Sequence, residues 1–366
     1  MSKRVRGVLI GAVLLGSGAF AASRMTSVGG SVEGERRVRA ERSGHYREGH
    51  FQNLEPTHML TPGTFWPMLE HQLFGTEQRV PERAIPVVQR SRSDYATAPA
   101  SGLRATWIGH ASVLLEIDGT RVLVDPVFSA RCSPLAFMGP ERFFPPPIAL
   151  AELPAIHVVV ISHDHYDHLD MASVQALAAN GAVFVVPLGI GAHLERWGVP
   201  VKQIVDLDWY EQKQVGRLQL TATPARHYSG RRVLDSDATL WASWVIAGDA
   251  HRVFFSGDTG YSAEFSRIGQ RFGPFDLTLI KIGASDPTWE QIHMSPEDAV
   301  RTHQDVRGRL LLPVHWGTFN LANHAWNEPA ERAAKAASAA GVSYALPRPG
   351  EWVEPGVSQP TAAWWR

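Results

Sequence analysis

Cysteine is nearly absent from this chain of 366 residues; Cys132 stands alone. One thiol excludes an intrachain disulfide and any metal site built from several thiolates. A lone Cys of this kind reads as a packed side chain without a role. An excess of either charge is absent as well. The 35 Lys and Arg against 36 Asp and Glu leave a formal net charge of −1. No basic field exists to hold a nucleic-acid backbone, so nucleic acid is not an expected partner. No apolar run reaches the roughly 20 residues that span a bilayer, and no internal repeat of fixed period is visible. Apolar side chains are plentiful, at 44% hydrophobic against 19% charged, with 12 Trp. This is the composition of a globular chain, long enough for one large domain or two small ones. Most of the Trp are expected in the core, and some along grooves that receive apolar ligands.

The first 22 residues differ from the rest. Lys3, Arg4 and Arg6 precede an apolar, small-residue stretch from Val8 to Phe20, and Ala19-Phe20-Ala21 fits an A-x-A processing site. The pattern predicts a signal peptide over 1–22 that is cut near Ala21, with an uncleaved anchor as the alternative. No Cys follows the stretch, which excludes lipoprotein processing. The expected location is therefore outside the cytoplasm, in a bacterial periplasm or attached to the cell-envelope membrane. Residues 23–100 turn rich in Pro, His and aromatics. Pro56, Pro62, Pro67, Pro81 and Pro86 interrupt any long helix, so the segment reads as an extended arm that packs on a core. Residues 101–366 read as the main domain. Apolar, β-branched runs at 104–108, 111–117, 121–125, 156–161, 182–187, 215–223, 240–247, 251–256, 276–282 and 309–314 predict strands. Helical patterns fall at 170–180, 189–197, 261–270, 295–305 and 328–340. Ser295-Pro296-Glu297-Asp298 supplies an N-cap, Pro at the first helical position and early acids. Hairpins followed by strand–helix alternation suggest two packed sheets covered by helices on their outer faces.

The strongest chemical signal is Ser162-His163-Asp164-His165-Tyr166-Asp167-His168-Leu169-Asp170, directly after Val158-Val159-Val160-Ile161. A buried strand that ends in this density of His and Asp is costly to build for packing alone, since each polar group needs a partner. Divalent metal ions satisfy imidazole and carboxylate together. His163 and His165 are two apart at a strand end and can point the same way. Asp167 and His168 lie past the turn and can face a second ion about 3.5–4 Å away. His227, Asp258 and His315 each follow a further predicted strand and complete a coherent set.

With HxHxDH, a lone His, Gly257-Asp258-Thr259-Gly260 and His315-Trp316-Gly317-Thr318-Phe319, the chain resembles the metallo-β-lactamase superfamily over about 103–350. Further segments are similar to the N-acyl-phosphatidylethanolamine-hydrolysing phospholipase D family and its bacterial relatives. They are Trp107-Ile108-Gly109-His110-Ala111-Ser112, Asp125-Pro126-Val127-Phe128, Met138-Gly139-Pro140-Glu141-Arg142-Phe143, Thr239-Leu240-Trp241-Ala242-Ser243-Trp244 and His293-Met294-Ser295-Pro296-Glu297. Gly49-His50-Phe51-Gln52-Asn53 in the arm also fits. The resemblance implies an α/β fold, an αββα sandwich with the site between the sheet edges. It implies two zinc ions, with manganese or ferrous iron as the other divalent candidates. His163, His165 and His227 would hold one ion, Asp167, His168 and His315 the other, and Asp258 would bridge them. His110 would support the centre from behind, and His293 maps to a family histidine near the substrate entrance. Asp164 occupies a variable position and is expected at most to orient a ligand imidazole. Tyr228 stands where the family more often has Trp, and the leader is not a feature of the animal phospholipases.

The expected reaction is hydrolysis of a phosphodiester in an N-acyl-phosphatidylethanolamine-like lipid. A water bridging two zincs ionises near neutral pH and attacks phosphorus. Asp258 would fix the bridge, and the same ions stabilise the added charge. The apolar stretch from Phe128 to Leu150 favours acyl chains or a membrane surface as partners, with Arg131 and Arg142 as candidate phosphate holders. A sugar-phosphate lactonase-like hydrolase acting on a small molecule is the first alternative, and a non-catalytic zinc-containing envelope binding protein the second. Oligomeric state is not legible in the sequence.

Overall fold

A computed structural model describes residues 25–232 and 235–366. The predicted leader lies outside the described residues, and among them no helix is long and apolar enough to cross a membrane.

Residues 25–102 run over the surface of the rest. They carry α1 (Gly34–Glu41), a two-stranded ribbon of β1 (Tyr46–Arg47) and β2 (His50–Phe51), and α2 (Phe65–Phe74). Arg36 of α1 pairs with Asp206 and Glu195. Phe51 N–H donates to Asp237 O at 2.8 Å, Thr61 N–H to Thr288 O at 2.6 Å and Val88 N–H to Pro349 O at 2.8 Å. The segment is more helical than its prolines suggest. Pro67 sits in the first turn of α2, where the missing N–H costs no intrahelical bond.

The first sheet contains β3 (Leu103–Gly109), β4 (Ser112–Ile117), β5 (Thr120–Val124), β6 (Val158–Val160), β7 (Val183–Pro187) and β8 (Ile204–Leu207). The second contains β9 (Gln212–Val215), β10 (Leu218–Thr223), β11 (Ser243–Ala247), β12 (Arg252–Phe255), β13 (Phe275–Lys281) and β14 (Gly308–Val314). A late strand, β15 (Trp352–Val353), returns to pair with β3, so the orders are β15-β3-β4-β5-β6-β7-β8 and β14-β13-β12-β11-β10-β9. Each sheet begins as antiparallel hairpins and ends in parallel pairs. The predicted run 215–223 is two strands, because Gly216 turns the chain at φ 58°.

Alternation explains why β6 is apolar throughout. Val158 and Val160 face the core between the sheets, with Leu220, Trp244 and Phe255. Val159 and Ile161 face outward under α3 (Met171–Ala179) and α4 (Gly191–Arg196), against Val174, Leu177 and Leu194. Outside the second sheet lie α5 (Glu264–Phe272), α6 (Pro296–Asp305) and α7 (Glu328–Ala339). The Ser295 hydroxyl caps α6 by accepting from Asp298 N–H at 3.1 Å. The architecture is the αββα sandwich, and the strand ends that carry His and Asp meet at one edge of it.

Candidate metal centre

The side chains singled out in the sequence converge from both sheets. His163 and His165 follow β6, His227 follows β10, Asp258 follows β12 and His315 follows β14. The backbone bends hard to bring them in. His110, Asp125 and His315 all have positive φ, at 53°, 37° and 63°, strain of the kind that accumulates at functional sites. Gly257 sits at φ 56° against β6. A Cβ there would stand 2.7 Å from Ser162 Cβ, so only glycine lets Asp258 approach.

Three imidazole nitrogens form one group. His163 Nε2 lies 2.8 Å from His165 Nδ1, and His227 Nε2 lies 3.3 Å from the same atom. The second group holds Asp167, His168, His315 and His110. There Asp167 Oδ2 lies 3.4 Å from both His168 Nε2 and His315 Nε2. Asp258 stands between the groups, its Oδ2 at 3.4, 3.8 and 3.0 Å from the Nε2 atoms of His168, His227 and His315. Ligands about 2.1 Å from a tetrahedral ion lie about 3.4 Å apart, and the separations here, from 2.8 to 3.8 Å, bracket that value.

The hydrogen bonds on the far sides aim these atoms inward. His168 Nδ1–H donates to Asp125 Oδ2 at 2.6 Å, His163 Nδ1–H to Ser162 Oγ at 2.9 Å and His227 Nδ1–H to Ile292 O at 3.0 Å. Each leaves Nε2 as a lone pair facing the centre. His168 Nε2, His315 Nε2 and Asp258 Oδ1 are buried without a hydrogen-bond partner. A buried polar atom in that state calls for an ion or a water. Burial holds His163 well below the ordinary imidazole value, and pushes His227 down to about 3. Burial would raise the carboxyls of Asp167 and Asp258, yet His168 beside Asp167 and His315 beside Asp258 hold both well below the carboxylate range. Burial would lower His168, yet Asp258 and Asp167 beside it hold it well above the ordinary imidazole value, so a metal ion there would take the place of its Nε2 proton; neutral imidazoles and ionised carboxylates are the ligating forms. The donor set therefore fits divalent metal.

Three neighbours complete the geometry. His110 lies behind the centre and donates from Nε2 to Asp167 Oδ2 at 2.8 Å, and burial beside His315 pushes it down to about 3. His293 stands at the mouth, with Nδ1 3.8 Å from Asp258 Oδ2. Tyr228 packs its ring 4.5 Å from that of His165.

Asp164 does not orient a ligand. It turns away to accept from Gly230 N–H at 2.8 Å, Thr239 Oγ1–H at 2.9 Å and His193 Nε2–H at 3.3 Å. The carboxylate that orients an imidazole of the cluster is Asp125, beside His168, which also accepts from Ser162 N–H at 2.7 Å. In the sequence it was only part of the Asp125-Pro126-Val127-Phe128 segment. Asn53 is a second such residue. Its side chain brackets the backbone of His227, donating to the carbonyl at 2.7 Å and accepting from the N–H at 3.1 Å. The buried Lys281, which nothing in the sequence singled out, lies with Nζ 2.9 Å from His293 Nδ1. The expected phosphate holders are occupied elsewhere. Arg131 pairs with Glu141, and Arg142 donates to the carbonyls of Val127 and Phe144.

The family described as the beta-lactamase superfamily domain matches residues 120–316. A Mycobacterium tuberculosis protein described as uncharacterized is 49% identical over 334 residues, 90% of this chain and 89% of the relative. N-acyl-phosphatidylethanolamine-hydrolyzing phospholipase D 1 of Caenorhabditis elegans is 36% identical over 263 residues, 69% of this chain and 73% of the relative. The structure of Igni18, a novel metallo hydrolase from the archaeon Ignicoccus hospitalis, is similar with a TM-score of 0.55 at 25% identity, over 69% of this chain and 97% of that one. Sequence, fold and converging ligand atoms agree: this chain belongs to the metallo-β-lactamase superfamily of metal-dependent hydrolases.

Proposed function

We propose that the chain is a two-zinc phosphodiesterase of phospholipase D type, acting on diesters that bear acyl chains, such as N-acyl-phosphatidylethanolamine. The observation that carries this reading is the single carboxylate, Asp258, within reach of both groups of imidazoles. His163, His165 and His227 would hold one ion, and Asp167, His168 and His315 the other. Zinc pairs so held acidify a water near neutral pH and neutralise charge on a phosphodiester. The residues around them divide the remaining work. His110 fixes Asp167, Asp125 fixes His168, and His293 faces the incoming substrate.

Exposed apolar side chains near the centre support an acyl-bearing substrate. Beside His315 and His110 lies a small cavity of about 20 Å³, walled by Phe319, Leu321 and Trp326, room for about one water. The segment with α2 is tied to this rim, since Thr61 binds the loop at Thr288 and Gln78 O accepts from Trp326 N–H at 3.0 Å. Along it Trp66 is 72% and Phe74 76% exposed, and Phe65 and Leu73 are also exposed. Phe137, at 77%, and Met138 are exposed on a second loop. Apolar clusters left in water mark membrane or ligand contact. An envelope location, as the leader suggests, suits this reading.

The test uses zinc-replete protein. Metal analysis is expected to give about two ions per chain, by the ligand count above. Turnover is then compared on N-acyl-phosphatidylethanolamine, bis-p-nitrophenyl phosphate, a lactone and a β-lactam. Faster hydrolysis of the lipid diester supports the reading. Turnover confined to the lactone or the lactam overturns it.

A further inference from the structure

Lys281 closes β13 with its side chain wholly buried, a placement a cation takes only with partners. Among the described residues its Nζ makes one hydrogen bond, to His293 Nδ1 at 2.9 Å. That same Nδ1 lies 3.8 Å from Asp258 Oδ2. The two neighbours make opposite demands. Burial pushes Lys281 down to about 7 against the pull of Asp258 and Asp167; in its ammonium form it has donors only and requires Nδ1 to accept. A carboxylate has acceptors only and requires Nδ1 to carry hydrogen. The ammonium is nearer and within hydrogen-bond range, which leaves the ring hydrogen on Nε2. The ring is 15% exposed and stands 5.1 Å from the His227 ring and 5.9 Å from the His315 ring. It therefore sits at the mouth of the centre, with Nε2 on the side away from Lys281.

We propose that Lys281 is a positioning residue that holds His293 with its hydrogen on Nε2, and that His293 donates a hydrogen bond from Nε2 to the oxygen departing from phosphorus. The second half rests on the phosphodiesterase reading above; the first half does not. The ring stays neutral and acts as a preorganised donor, as a neutral imidazole can for a developing oxyanion. Without Lys281, Asp258 is the remaining partner for Nδ1. The hydrogen would then move to Nδ1, and Nε2 would become an acceptor that repels the leaving oxygen.

Two measurements on the zinc-loaded full chain separate the halves. The first is ¹⁵N-histidine NMR, with His293 assigned by its loss in His293→Gln. Wild type is expected to show hydrogen on Nε2, Lys281→Arg to keep it, and Lys281→Met to shift it to Nδ1. Hydrogen on Nδ1 in wild type overturns the proposal whatever the enzyme hydrolyses. The second is a leaving-group comparison at equal metal content. Lys281→Met and His293→Gln should each lose about 100-fold in kcat on a diester with an alkoxide leaving group. On bis-p-nitrophenyl phosphate, whose leaving group needs little help, each should lose under about threefold. The double variant should be no worse than His293→Gln. Equal losses on both substrates, or losses that multiply in the double variant, overturn the second half. If wild type hydrolyses neither diester, the phosphodiesterase reading fails while the NMR result still decides the first half.

Discussion

Asp125→Asn is the sharpest probe of how the centre is built, because it changes hydrogen-bond polarity and almost nothing else. The wild-type carboxylate accepts three times: from Ser162 N–H at 2.7 Å, from Ser162 Oγ–H at 2.5 Å and from His168 Nδ1–H at 2.6 Å. An amide can accept through its oxygen only. If that oxygen keeps the Ser162 N–H, the NH₂ faces His168 Nδ1, and the imidazole hydrogen must move to Nε2. That nitrogen is the one 3.4 Å from both Asp167 Oδ2 and Asp258 Oδ2, and once protonated it cannot ligate. Turning the amide over instead sets NH₂ against a buried N–H. Loss of such a supporting carboxylate costs about 10–100-fold in metal affinity, or roughly 1.4–2.7 kcal/mol. Zinc titration against a chelator should therefore show one of two ions weakened by that factor. The ion of His163, His165 and His227 should change less. Two ions bound with wild-type affinities in Asp125→Asn would refute the argument that His168 depends on its partner.

Two further predictions concern the scaffold. Asp164→Ala should bind metal normally but lower stability by about 3 kcal/mol, since it leaves the Gly230, Thr239 and His193 donors without their acceptor; Asp167→Ala should lose metal, and equal metal loss in both would contradict the geometry. His303, in α6, is pushed down to about 4 by burial. An unfolded histidine protonates near 6.5, so below that pH the unfolded state takes up a proton that the folded state refuses. The cost should be absent above pH 6.5 and grow to about 3 kcal/mol as pH falls to about 4. Urea midpoints from pH 7 to 4.5 should thus fall more steeply for wild type than for His303→Gln, and parallel slopes would discount the residue.

The parts of the site legible in the sequence are those whose role is set locally. A strand end presents every second residue to one side, so the convergence of His163 and His165 is announced by spacing alone. The same alternation sends Asp164 the other way, which is why it serves His193 and Thr239 rather than a ligand. The parts that were not legible depend on partners far along the chain. Asp125 meets Ser162 and His168 only because β5 and β6 lie in parallel register. Lys281 reaches His293 only after the loop before α6 folds back over β13. Proline and glycine misled in a different way. Pro67 reads as a helix breaker by type, but its place in the first turn of α2 removes the penalty. Gly216 is one residue in an apolar run, and only its positive φ reveals a turn. Residue type and spacing thus report which atoms converge on the centre. The carboxylates and cations that set the hydrogens on those atoms come from topology, and they decide whether each nitrogen is a ligand or a donor.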